Sequence, residues 1–153
     1  MSAKQANAGR VLISLSVITT AVVSVLVDLN ETHLFNPAWP GHARFHDAAM
    51  LNLLCAYALV ALWLLWRRSL EPDVGVIVAT SVPISFWSCF YWITSVIPGT
   101  SLSLDGHSPA TVGGVPVYPN VALGTIEILI ALIGYTLYRR SATERRPSNR
   151  HSH

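Results

Sequence analysis

A chain of 153 residues is about one domain long, and 52% hydrophobic against 12% charged residues is too apolar for a soluble domain of that size. A mean hydropathy of +0.45 makes lipid the first solvent to consider. The net charge of +2 is small, and the basic residues follow a membrane topology instead of forming a patch, which argues against a nucleic-acid partner.

Four segments are apolar enough to cross a hydrocarbon core of roughly 30 Å, which takes about 17 to 25 helical residues. They run from Val11 to Val27, Ala48 to Trp66, Val74 to Ile97 and Val121 to Tyr138. The first is long for a signal-peptide core and no small-x-small cleavage site follows Leu26, so it is expected to remain as an anchor. The fold class expected is all-α, a polytopic four-helix membrane bundle over residues 1–140.

Lys4 and Arg10 precede the first span, Arg67 and Arg68 lie between the second and third, and Arg139, Arg140, Arg145, Arg146 and Arg150 follow the fourth. Only Arg44 falls on the other side, so positive residues place both termini in the cytoplasm. Trp63, Trp66 and Tyr138 mark the inner headgroup level, and Trp39 and Tyr118 the outer one. The stretch from Ser141 to His153 is polar, basic and contains Pro147, and is expected to be a disordered tail touching anionic headgroups of membrane lipids.

The first outer loop, from Asp28 to Asp47, reads DLNETHLFNPAWPGHARFHD. Its turns need only Asn36-Pro37 and Pro40-Gly41, so His33, Trp39, His42, His46 and the flanking acids exceed what connection requires. The sequon Asn30-Glu31-Thr32 lies too near the bilayer for glycosylation. His42 and His46 share a face if the second helix begins near Gly41, a spacing used by paired metal ligands. No HExxH or multi-histidine hydroxylase pattern completes such a site, and no histidine lies inside a span to hold haem, so neither a metal nor a cofactor is expected. Cys55 and Cys89 sit in apolar runs without ligand spacing and read as small buried hydrophobes.

On the third span Ser81, Ser85, Ser88, Trp92 and Ser95 recur at steps of four, three, four and three, one side of a helix. Pro83 is expected to kink this span near its cytoplasmic end, and Trp87, Tyr91 and Trp92 to enrich its outer half with rings. On the fourth, Glu127 lies about two turns in, where an ionised carboxylate in apolar surroundings costs several kcal/mol unless paired, hydrated or protonated. Asn120 is on nearly the same face, with Gly124 between them allowing close approach by a neighbour. With Ser24 and Asp28 on the first span and Asn52 on the second, each helix offers a polar group, and these are expected to converge on a cavity open to the outside.

An acid at the outer end of the first helix, followed by an outer loop carrying Pro37-Ala38-Trp39, resembles the emopamil-binding and sigma-2 receptor group, the EXPERA superfamily. The resemblance implies a lipid-facing cavity for sterols or amphipathic amines, sterol isomerisation in some members, and Asp28 as the acid that faces a cationic amine. The chain departs from that pattern in its short first outer loop, in Asn52 where an acid is expected, and in Glu127.

The expectation is therefore a pocket for a hydrophobic small molecule such as a sterol, terpenoid or other lipid, extending to isomerase or cyclase chemistry on an alkene. Glu127 would be the general acid, His42 or His46 the base, and Asp28 a counter-charge. Tyr91 and Trp92 would stabilise a developing carbocation, an effect worth about 2 kcal/mol when desolvated. Ser88, Asn52, Asn120, His33 and Trp39 would line the ligand. The alternatives are a non-enzymatic accessory or ligand-binding subunit, and a metal-binding redox or transport protein. Association into a homo-oligomer is open.

Overall fold

The structure, a computed structural model, describes residues 3–103 and 108–144. Its elements in chain order are α1 (Ala3–Asp28), α2 (Gly41–Trp66), α3 (Pro72–Trp87), a 3₁₀ turn (Ser88–Tyr91), α4 (Ile93–Val96), β1 (Ala110–Val112), β2 (Val115–Val117) and α5 (Pro119–Glu144). Four helical segments, Lys4–Asp28, Gly41–Trp66, Pro72–Tyr91 and Pro119–Ser141, are long and apolar enough to cross a membrane.

The four long helices pack against one another, with α1 most extensively against α5, α2 against α3, and α1 also meeting α3 across the bundle. α1 and α5 are antiparallel and meet through a stripe of small residues. A Cβ on Gly9 would lie 2.6 Å from the carbonyl oxygen of Gly134, and one on Gly134 would lie 2.8 Å from that of Gly9, so only glycine permits this approach. Gly75 lies against the backbone of Leu64 in the same way, closing α2 onto α3. Gly124 receives the indole of Trp87, whose atoms lie 2.9–3.0 Å from where a Cβ would stand.

The interior is polar for a helical domain. Ser16, Thr20, Ser24, Thr80, Glu127 and Ser141 are buried beside Ile13, Val17, Leu65, Val76 and Val82, while Val11, Leu15, Ile18, Val22, Leu26, Leu53, Leu59, Ile77, Ile126, Leu129 and Ile133 face outward. In water such outer faces would be a large unpaired hydrophobic surface.

Several expectations need correction. The third span is not one continuous α-helix to Ile97: α3 ends at Trp87, where the Ser88 hydroxyl donates to the Ser85 carbonyl (3.2 Å) and the Cys89 thiol to that of Phe86 (3.1 Å). Side chains that bond back to carbonyls in this way compete with the helical ladder. α3 does run through Pro83, which is buried. The fold is not purely α-helical: between α4 and α5, β1 and β2 pair antiparallel about Gly113-Gly114, whose φ values of 59° and 81° fit a type I′ hairpin turn. α5 continues to Glu144, past Ser141 where a disordered tail was expected to start. Residues 145–153, the rest of that tail, lie outside the described residues. Cys55 and Cys89 are half-buried and free, not fully buried. Tyr138 is buried and its hydroxyl donates to Asp73 (2.9 Å), whereas Trp63 and Trp66 are exposed.

Candidate functional site

Asp28 is the last residue of α1, and the chain turns over it: the amides of Asn30 and Leu34 both donate to its carbonyl (2.9 and 3.0 Å). Asn30 fixes this turn, its amide donating to the Val27 carbonyl (2.6 Å) and its side-chain oxygen accepting from the Thr32 amide (2.8 Å) and hydroxyl (2.6 Å). The sequon asparagine is thus a helix-terminating residue. The turn brings His33 back over Asp28, Nε2 to Oδ1 4.0 Å, and sets the His33 ring edge-on to Trp39 at 5.6 Å.

α2 then starts at Gly41 after Pro40, whose fixed φ ends the loop. Its second turn delivers Asp47 to the same rim. Asp28 lies within range of the Asp47 charge, and both carboxylates lie within range of the His33 imidazole. Oδ2 of Asp47 is buried and has no hydrogen-bond partner. Two acids nineteen positions apart in sequence and one histidine therefore form a charge cluster bordered by Trp39. Its chemistry suits a cation: two carboxylates repel each other until a positive group comes between them.

His42 and His46 share the outer side of the first turns of α2, with Nε2 to Nε2 at 3.0 Å, one donating and the other accepting. Both are exposed, and Phe45 stacks on His42. Among the described residues no three His, Cys, Asp or Glu side chains are arranged to hold a metal ion.

Glu127 is elsewhere. It is 4% exposed, and the Ser16 hydroxyl donates to its backbone carbonyl (2.8 Å) while its Oε2 has no partner. From Ser16 to Asp28 is twelve residues of α1, about 18 Å of helix, so this carboxyl and the rim cluster are separate places. One turn outward from Ser16, the Thr20 hydroxyl accepts from the Trp87 indole N–H (3.0 Å), and Trp87 packs among Phe86 and Phe90.

The remaining expected pocket residues do not converge. Asn52 is exposed on α2, and Ser85 and Ser95 are exposed, so the serine stripe does not form an inner face. Trp92 and Tyr91 are 49% and 50% exposed, and the Tyr91 hydroxyl is spent on Thr125 (2.6 Å), tying the 3₁₀ turn to α5. Ser88 bonds its own turn, and Asn120 donates to the Leu102 carbonyl (3.0 Å) at the start of α5. Of the eleven residues expected to form the site, the structure thus unites Asp28, His33 and Trp39, adds Asp47, and pairs His42 with His46.

The end of the bundle opposite the rim carries a cleft of about 570 Å3, lined among others by Arg10, Glu71, Asp73 and Tyr138. Nothing in the spacing of these four announces a site, since they come from three helices and the turn that leads into α3. The Ser16, Thr20 and Ser24 series and Gly124, Glu127, Ala131 and Gly134 were open to sequence reading as helical stripes; Ser16 and Gly134 join α1 to α5, while Thr20 and Gly124 both receive Trp87 of α3.

A protein-family model, described as a family of unknown function (DUF6640), matches residues 12–148. No curated protein and no solved structure matches the chain.

Proposed function

The chain belongs to the DUF6640 family, whose function is unknown, and we propose from its own geometry that it is a four-span membrane protein binding a hydrophobic molecule with a cationic group at its outer rim. The observation that carries this reading is the meeting of Asp28, Asp47 and His33 beside Trp39, where the buried Oδ2 of Asp47 has no partner. An ammonium placed there would answer two carboxylates at once, and an aromatic face beside it suits a cation. The likeness of Asp28 and Pro37-Ala38-Trp39 to the EXPERA superfamily points to the same ligand class.

Support for the membrane comes from the bundle's apolar exterior and hydroxyl-rich interior, the reverse of a soluble domain. Support for the orientation comes from charge. The start of α1, the turn between α2 and α3 and the end of α5 line one cleft, and Lys4, Arg10, Arg67, Arg68, Arg139 and Arg140 belong to that end, which is then cytoplasmic. The rim, with Arg44, lies on the far side.

The role proposed is binding and not isomerase or cyclase chemistry, because the expected proton donor Glu127 stands about 18 Å of helix from the rim charges. Thermal denaturation of the purified chain with N,N-dimethyldodecylamine or with dodecanol tests the proposal. The amine should raise the transition temperature and the uncharged alcohol should not, and an Asp28→Asn, Asp47→Asn double variant should lose the response. Equal shifts from both compounds, or an unchanged response in the double variant, would sink it.

A further inference from the structure

The cleft at the inner end is open between the first turns of α1, the turn leading into α3, and the last turns of α5. Arg10 forms its polar wall. The Nε of Arg10 is buried and without a hydrogen-bond partner, while its guanidinium lies 5.5 Å over the Tyr138 ring and hydrogen-bonds the hydroxyl of that residue. A buried donor on a permanently charged group is costly to leave unpaired, and the Asp73 carboxylate in the same cleft is already taken. Asp73 accepts from the Tyr138 hydroxyl (2.9 Å) with one oxygen and pairs with Arg139 (2.9 Å) through the other.

The lip of the cleft has a different character. Leu70 is fully exposed and Val74 is 46% exposed, so apolar side chains border the polar wall at the level where the apolar spans end. The cleft's size falls within the range of about 300–1,000 Å3 typical of small-molecule sites. Of the two acids in its lining, Asp73 is paired with Arg139, and Arg10 is the basic residue of the lining. A guanidinium presents a planar fork that matches two phosphate oxygens.

We infer that this inner cleft is a phospholipid headgroup site, in which Arg10 binds the phosphate and Leu70 and Val74 meet the start of the acyl chains. The inference rests on the membrane reading above and is independent of any ligand at the outer rim.

Native mass spectrometry of the full chain released from detergent, with dioleoylphosphatidylglycerol or dioleoylglycerol added, decides it. The two lipids share their acyl chains and differ in the phosphate headgroup. Wild type should retain the phospholipid at least about tenfold better than the diacylglycerol, and Arg10→Gln should remove most of that preference. Arg10→Lys, which keeps a cation but loses the fork, should fall between them. Arg140→Gln, an exposed charge outside the cleft wall, should retain lipid as wild type does. Equal retention of the two lipids by wild type overturns the inference even where Arg10→Gln does not fold. A loss in Arg140→Gln as large as in Arg10→Gln assigns the effect to general surface charge and overturns it. Displacement of the phospholipid by equimolar inorganic phosphate makes the cleft a free-anion site and overturns it as well. A chain that is extracted from membranes by alkaline carbonate ends both this inference and the membrane reading; one that stays in the membrane without phosphate preference ends this inference alone.

Discussion

Glu127 carries an unusual free-energy balance for one side chain. The Ser16 hydroxyl donates to its backbone carbonyl (2.8 Å) and also lies within hydrogen-bonding reach of its carboxyl, so only the backbone bond survives any substitution at this position. Its own Oε2 is buried and unpartnered, and such a group costs about 1–3 kcal/mol to leave unpaired. Glu127→Gln is therefore expected to fold normally, and Glu127→Leu, which removes the unpaired oxygen at similar volume, to keep or raise the transition temperature in detergent. A clear loss of stability in Glu127→Leu with none in Glu127→Gln would show that the carboxyl has an interhelical partner. The neighbouring Trp87→Phe removes the N–H that Thr20 accepts, and should cost about 0.6 to 2 kcal/mol, the range for a hydrogen bond between membrane helices.

At the scale of elements, the decisive contact is between α1 and α5, where two backbones approach through Gly9 and Gly134. A side chain at either position meets backbone, which cannot swing away as a flexible side chain can. Gly134→Leu is expected to destabilise the bundle by about 1–3 kcal/mol or to prevent its assembly. Gly41, where an added Cβ meets nothing within 4 Å, provides the contrast: Gly41→Ala at the start of α2 should be neutral or slightly stabilising. Thermal denaturation of the two variants side by side checks the pair, and equal losses would mean that close approach is not what glycine supplies at the crossing. The division of α3 from its 3₁₀ continuation also belongs to this scale. An unbroken helix would keep Ser81, Ser88 and Trp92 on one side, whereas the observed break leaves Trp87 as the residue that enters the bundle.

The whole molecule is organised as two charged ends joined by apolar-coated helices. The rim holds Asp28, His33 and Asp47; the other end holds the cleft of Arg10 and Asp73 with most of the basic residues. The orientation proposed above predicts that, after replacement of Cys55 and Cys89 by serine, cysteines placed at Glu31 and Ser103 react with an impermeant maleimide added outside sealed cells. A cysteine at Ser69, between α2 and α3, should react only after permeabilisation. The opposite pattern would reverse the molecule and place the rim cluster in the cytoplasm.

What the sequence by itself determined was the number and character of the long helices, because hydropathy is a sum over neighbouring residues and needs no knowledge of partners. The pairing of His42 with His46 was equally local, the two standing four residues apart on one face of α2. The sequence also holds the Gly113-Gly114 hairpin signal between β-branched residues, equally local. Only the tertiary structure decided which polar groups meet. Asp28 and Asp47 come together because the Asn30 turn and Pro40 fix the path between two helices, and Asn52 is turned outward by the rotation of α2. Arg10 and Tyr138 are opposed because Gly9 and Gly134 set the register of α1 on α5. Helix rotation and register depend on a few close contacts between distant segments, and no local sum over the chain contains them.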